Sequence, residues 1–316
     1  MTVDNFISRS TASDLDLSVL VGELWSRKGL SLGLVTIVTA LAIFVSYALP
    51  EYYQSKALLA AKSDSSVNGL ANLANQYGGL ASLAGINLDG MAGGGMSRTE
   101  IAQEKIQSLV FFEDELYDEV LVQLMAVGGW ERASNVLRID PKIYDVKSSE
   151  WVREVAAPRS PKPSSQEAHK EFLRALSISK NSESGLITIT VEHLSPHVAQ
   201  RWLTMIITRV SETIRQADID EAKQSIEFLA NLRDETKLIA LDEVFAQLIE
   251  EQTKKIMLAS VSRDYVFEVI EPPYAPELRS SPNRLLIVVL GFLLGCFVAI
   301  FVVFVRYTWL ARRDAS

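Results

Sequence analysis

The chain has 316 residues, of which 48% are hydrophobic, with 31 basic against 39 acidic side chains and a net charge of −8 at pH 7. Length allows one or two domains, and the acidic balance excludes nucleic acid as a partner, which requires clustered Lys and Arg against phosphate. The single cysteine, Cys296, excludes an intrachain disulfide.

Residues 29–49, GLSLGLVTIVTALAIFVSYAL, and 285–305, LLIVVLGFLLGCFVAIFVVFV, each run twenty-one positions without a charged residue or histidine. About 20 such residues cross a hydrocarbon core as a helix, so both read as transmembrane. A cleaved signal peptide fits the first less well: its apolar region would run only about 7–15 residues behind a basic start, whereas the twenty-eight residues here carry four acids against three bases. Trp25, Tyr47, Tyr52, Tyr53, Tyr307 and Trp309 sit where the span ends meet headgroups. Arg27, Lys28, Arg306, Arg312 and Arg313 against Lys56, Lys62, Arg279 and Arg284 is a small bias toward both termini inside. The expected organisation is a tail 1–28, a span 29–49, a large loop 50–284, a span 285–305 and a tail 306–316. The loop sums to −9.

Within the loop, YYQSKALLAA (52–61) predicts a strand leaving the membrane directly. Residues 64–98 hold eight of the sixteen glycines, with GGG at 93–95, and read as a flexible connector. No Lys-Ser or Lys-Thr follows at phosphate-loop spacing. From Thr99, Ile106, Leu109, Phe112, Leu116, Val120 and Leu124 predict a helix up to Gly128-Gly129, with EDELYDE as a solvated acidic face. PRSPKPSS (158–165) is a linker. SQEAHKEFLRAL follows as a short helix capped by Ser165, and FLRALSISK (172–180) with LITITVEHL (186–194) reads as a strand pair.

Ser195-Pro196 opens a helix, serine as cap and proline in the first turn. No Gly or Pro occurs from His197 to Glu271, and helical spacing predicts one helix over 196–260, roughly 98 Å long at about 1.5 Å per residue. A small domain cannot cover such a stripe, so its distal half is expected to stand in solvent or line up with other copies. DYVFEVIE (264–271) then predicts a returning strand. EPPYAPELRSSPNR (271–284) holds four of the ten prolines, Pro272, Pro273, Pro276 and Pro282. Proline fixes φ and removes a donor, so this segment is neither helix nor central strand. It is expected to keep the long helix from fusing with the span and to couple sheet to membrane.

Catalytic constellations are scarce. His169, His193 and His197 form no metal pair, DLD at 14–16 and DID at 218–220 read as surface charge, and no cofactor or metal is expected. Gly29-x-x-x-Gly33 and Gly291-x-x-x-Gly295 have the spacing that permits close helix packing in a membrane.

DLDLSVLVGELWSRK in the tail, ALPEYYQSKA at the first span's end, SPHVAQRW at the helix start, IEEQTKKIMLASVSRDYVFEVIEPPYAPELRSSPNR before the second span, and GGLASLAGI together resemble the Wzz family of polysaccharide co-polymerases, the chain-length determinants. The resemblance implies an α+β fold with two transmembrane helices flanking a periplasmic α/β base and a very long protruding helix. It implies a non-catalytic protein of a Gram-negative inner membrane, with cytoplasmic termini, assembled as a homo-oligomeric ring, commonly an octamer. Its partners would be membrane lipid, a Wzy-type polymerase and undecaprenyl-pyrophosphate-linked polysaccharide, in the first instance lipopolysaccharide O-antigen. The alternative polymers are an enterobacterial-common-antigen-like, capsular or exopolysaccharide. Eleven residues after the second span leave no room for the tyrosine kinase of the family's second type.

Overall fold

A computed structural model of the protein describes residues 28–62, 96–235, 239–262 and 264–313. The glycine-rich connector up to residue 95, the DLD at 14–16 and nearly all of the tail 1–28 lie outside the described residues. In chain order the elements are α1 (Lys28–Ala48), β1 (Tyr53–Ala61), α2 (Arg98–Gln107), a helical turn Leu109–Phe111 continuing as a π-helical turn Phe112–Leu116, and α3 (Tyr117–Met125). Four short strands follow, β2 (Val127–Glu131), β3 (Val136–Ile139), β4 (Tyr144–Asp145) and β5 (Glu150–Trp151). Then come α4 (Ser165–Ala175), β6 (Leu176–Lys180), β7 (Ile187–His193), α5 (Pro196–Glu235), α6 (Ile239–Val261), β8 (Phe267–Glu271) and α7 (Arg284–Arg313).

The chain divides into two units, residues 52–279 and the flanking residues 1–51 with 280–316. The second of these contains α1 and α7, two helices long and apolar enough to cross a membrane.

The larger unit is built on an antiparallel sheet of order β6-β7-β1-β8. Period-two alternation decides its faces: Tyr53, Ser55, Ala57 and Leu59 of β1 and Ile187, Ile189, Val191 and His193 of β7 are all buried. The first half of α5 covers that face with Trp202, Leu203, Ile206 and Val210. Each such large side chain contributes about 1.5–3 kcal/mol by leaving water, and a one-residue slip of β1 would turn its whole set outward.

Local sequence readings shift by a few residues. Phe172 faces the core from α4, so the stretch expected as strand from 172 is helix through Ala175 and strand only from Leu176. Ser164, not Ser165, caps α4, its hydroxyl accepting from the Glu167 amide. The helix expected from Thr99 to Gly128 breaks at Ser108, which adopts extended backbone and whose hydroxyl donates to the Lys105 carbonyl and accepts from the Phe111 amide. The Gly128-Gly129 pair lies in β2, at a register shift against β3. The acidic face is only partly solvated: Arg209 of α5 pairs with Glu115 at 3.3 Å and Glu119 at 2.5 Å.

The largest correction concerns the single helix over 196–260. A long helix is present, forty residues from Pro196, about 60 Å at 1.5 Å per residue. It ends at Glu235, and α6 runs back along it. Lys255 meets Glu221 at 2.8 Å, Arg233 pairs with Asp242, and Leu229 packs with Val244, Phe245 and Leu248. The reason is burial. A helix this long gains little stability from propensity alone, and folding back covers the stripe at Leu229 without a second copy.

Asp218, read as surface charge, closes the root of this hairpin. It accepts from the Tyr265 hydroxyl at 2.6 Å and from Arg98 Nε at 2.6 Å, and Lys255 Nζ lies 3.4 Å away. The Arg98 guanidinium also stacks 4.9 Å from the Tyr265 ring centre. Burial works against the carboxylate, but the Tyr265 hydroxyl, Lys255 and Arg98 outweigh it and hold its pKa below the ordinary aspartate range. Burial and the bond to Asp218 push the Tyr265 hydroxyl up, so the proton stays on tyrosine. Asp220, two residues on, is exposed and accepts from Gln216 Nε2, one turn back, at 3.0 Å.

Spin labels at Gln224 and Lys254, in a Cys296→Ser background diluted with unlabelled protein, test the hairpin. A continuous helix would separate the two sites by about 45 Å; the expected distance by pulsed electron resonance is well under half of that. Because its folded pKa is lowered, the stabilisation from Asp218 is complete above the unfolded value near 3.9 and is lost as pH falls through the folded value. The thermal midpoint of detergent-solubilised protein is expected to fall below about pH 4. Asp218→Asn is expected to cost roughly 1–3 kcal/mol at neutral pH and to flatten that acid limb.

Candidate functional site

Both chain connections of the larger unit leave at one end of its strands, where β1 begins and β8 finishes. β1 enters with Tyr53 opposite His193, and after β8 the buried Ser55 hydroxyl donates to the Tyr274 carbonyl at 2.8 Å while Gln200 Nε2 donates to the Pro273 carbonyl at 3.0 Å. The segment bearing Pro272, Pro273 and Pro276 has lost donors but keeps its carbonyls, and β1 and α5 hold two of them. Neither helix nor regular strand forms there. Ser55 and Gln200 were not singled out from sequence. The available signal was a polar residue on the inward face of β1 and an amide one turn into α5.

At the same end a cleft of about 310 Å³ opens between β7, α3 and α4, lined by Tyr52, Gln123, Glu171, Arg174, Glu192 and His193. Arg174 pairs with Glu171 at 2.6 Å along its helix. His193 is buried, and its ring meets that of Trp202 with centroids 4.9 Å apart. The Ser195 amide donates to Nδ1 at 3.0 Å, so Nε2 carries the hydrogen and donates to the Gln123 carbonyl at 3.1 Å. Trp202 Nε1 donates to the Gln123 side chain at 3.0 Å. Burial pushes the His193 pKa down. With both nitrogens committed to backbone, the imidazole has no lone pair for proton transfer; it pins α3 to the junction of β7 and α5. His197 is exposed on α5, so the two histidines form no pair.

The smaller unit explains two of the four span glycines. α7 buries Gly291, Gly295, Ala299 and Val303, one face at a four-residue interval. A Cβ built on Gly291 would fall 2.3 Å from Cβ of Ala42; one on Gly295 would lie 3.2 Å from the Val35 Cα. Since rising numbers on α7 meet falling numbers on α1, the helices are antiparallel. Gly29 and Gly33 have nothing within 4 Å of such a Cβ, so among the described residues they do not bring these helices together. At one end of the pair Arg284 donates to Glu51 at 2.7 Å and stacks 4.4 Å from the Tyr47 ring centre. Pro282 lies two residues before this clamp.

Gly291→Leu is expected to lower the thermal midpoint of the detergent-solubilised protein by an overpacking cost of about 1–3 kcal/mol. Gly33→Leu is expected to leave it unchanged, since open space takes the added carbons.

Residues 13–114 match the family model Wzz, chain length determinant protein. That stretch contains both DLDLSVLVGELWSRK and ALPEYYQSKA. No curated protein matches the chain. Among solved structures, a full-length bacterial polysaccharide co-polymerase is 14% identical, with a TM-score of 0.40, covering 95% of this chain and 100% of that one. A fragment of WzzB, polysaccharide co-polymerase from Salmonella Typhimurium, is 16% identical with a TM-score of 0.32, covering 73% of this chain and 100% of the fragment. Likenesses of that size carry no argument by themselves. The family that the sequence resembles is the one whose model matches, over residues 13–114, which take in α1, β1 and α2.

Proposed function

We propose that this protein regulates the chain length of a polysaccharide without itself catalysing polymerisation. α1 and α7 would hold it in the inner membrane with termini in the cytoplasm and residues 52–279 in the periplasm. There it would act as a homo-oligomeric ring beside a Wzy-type polymerase, on O-antigen carried by undecaprenyl pyrophosphate. The single observation that carries the reading is the chain-length-determinant match over residues 13–114. Two apolar helices of spanning length support its placement in a membrane.

In this reading function lies in shape and connection. The segment containing Pro272, Pro273, Pro276 and Pro282 would couple the sheet to α7, because fixed φ angles and anchored carbonyls resist extension and bending.

Lipopolysaccharide from a deletion strain, run on a gel, tests the function. Loss of a modal cluster, restored by the intact gene, is the expected result. An unaltered ladder with lost capsule or exopolysaccharide would transfer the role to that polymer, and no change in any polymer would overturn it. In the same strain, Pro276→Ala with Pro282→Ala is expected to shift the modal length at equal protein abundance.

A further inference from the structure

The side chains around the cleft between β7, α3 and α4 are unequally used. His193 commits both nitrogens to backbone groups. Gln123 is fixed twice, its carbonyl accepting from His193 and its side-chain oxygen from Trp202. Because an indole N–H only donates, the oxygen is the atom that meets it. The amide nitrogen of Gln123 is therefore a firmly placed donor, without a partner among the described residues. Arg174 gives only Nη1 to Glu171, 2.6 and 2.8 Å from the two carboxylate oxygens, which leaves Nε and Nη2 unspent. Tyr52 precedes the buried Tyr53 and turns to the other side of β1, 37% exposed. On that side of the neighbouring β7, Glu192 alternates with the buried Val191 and His193.

These groups line one cleft of about 310 Å³, completed by apolar side chains such as Leu124 and Val127. Small-ligand clefts run from about 300 to 1,000 Å³, apolar walls with a few convergent polar groups. Charge narrows the ligand. Glu171 and Glu192 against Arg174, with His193 uncharged, give the lining a formal −1, which disfavours phosphate, pyrophosphate or an acidic sugar. A protonated amine answers that charge but offers no acceptor to the Gln123, Arg174 and Tyr52 donors. Hydroxyls do both, since each donates and accepts, and neighbouring hydroxyls match the two-pronged carboxylate and guanidinium. A saccharide ring also presents a face of C–H groups, for which the tyrosine ring and the aliphatic walls provide an apolar surface.

We propose that this cleft binds a neutral saccharide unit of the polymer, its C–H face on Tyr52 and its hydroxyls on Arg174, Glu192 and the Gln123 amide. The proposal rests on the reading that the protein serves polysaccharide assembly, and adds to it a direct contact between the larger unit and the polymer.

Saturation-transfer NMR on the full-length detergent-solubilised protein tests it. The probes are polysaccharide released by mild acid from the strain's lipopolysaccharide and the strain's extracellular polysaccharide, with inorganic pyrophosphate and spermidine as competitors. Saturation of the ring protons of one polysaccharide is expected. Tyr52→Ala and Arg174→Ala are each expected to weaken its binding about tenfold, the equivalent of roughly 1.4 kcal/mol. Both variants are expected to keep the parent's thermal midpoint, since Tyr52 is 37% exposed and the Arg174 side chain 64%. Failure of both polysaccharides to bind, or binding that both variants leave intact, overturns the proposal while chain-length control stands. Displacement by pyrophosphate or by spermidine assigns the cleft to an anion or a cation and overturns it too. Binding that the variants weaken, beside a deletion strain with unaltered polymers, supports the saccharide site and overturns the function instead.

Discussion

The carboxylate of Asp218 is the point on which the larger unit's architecture turns. Four segments far apart in sequence converge on it: α2 through Arg98, α5 through Asp218 itself, α6 through Lys255, and the approach to β8 through Tyr265. The apolar cluster toward the far end of the hairpin is small, with Leu229, Val244, Phe245 and Leu248 as its buried members. At about 1.5–3 kcal/mol for each fully buried side chain, it must also order a twenty-three-residue helix. Charge pairing at the root fixes where α6 lies and so where β8 begins. Each of the three donors approaches a carboxylate whose pKa burial alone would raise, so loss of any one leaves a half-buried charge less compensated.

That dependence separates what period can tell from what it cannot. The sheet was legible because β1 and β7 alternate inward and outward residues, and a period of two fits little besides a half-buried strand. The hairpin was not. α5 and α6 share one period, and no glycine or proline interrupts the run. Yet a signal was present: Leu229 against Phe245, Arg233 against Asp242, and Glu221 against Lys255 are all arranged about a centre near residue 238. Complementary charge and apolar positions mirrored about one point describe a helix meeting itself, a relation that helical spacing read in one direction does not test.

The candidate site divides in the same way. Prolines and span glycines stand out by composition, and two of the four glycines, Gly291 and Gly295, meet the facing helix backbone or its methyl carbons. What anchors the proline segment was hidden, because Ser55 and Gln200 act only through carbonyls that sequence does not mark. His193 shows the converse. Its type suggests chemistry, and its place among Gln123, Ser195 and Trp202 assigns it to holding elements together.

For a protein proposed to act by shape, these fixings are the mechanism's raw material. β1 follows α1 after four residues, and the returning chain has its carbonyls at 273 and 274 tied to β1 and α5 before it reaches α7. A load on the α5–α6 hairpin would pass through Asp218 to β8 and from there to the proline segment, because each step is a hydrogen-bonded or paired contact rather than a free loop. Length control by such a scaffold would depend on the stiffness of that route. Weakening the hairpin root and weakening the proline segment should then alter polymer length in the same direction, whereas a role limited to local stability would make the two independent.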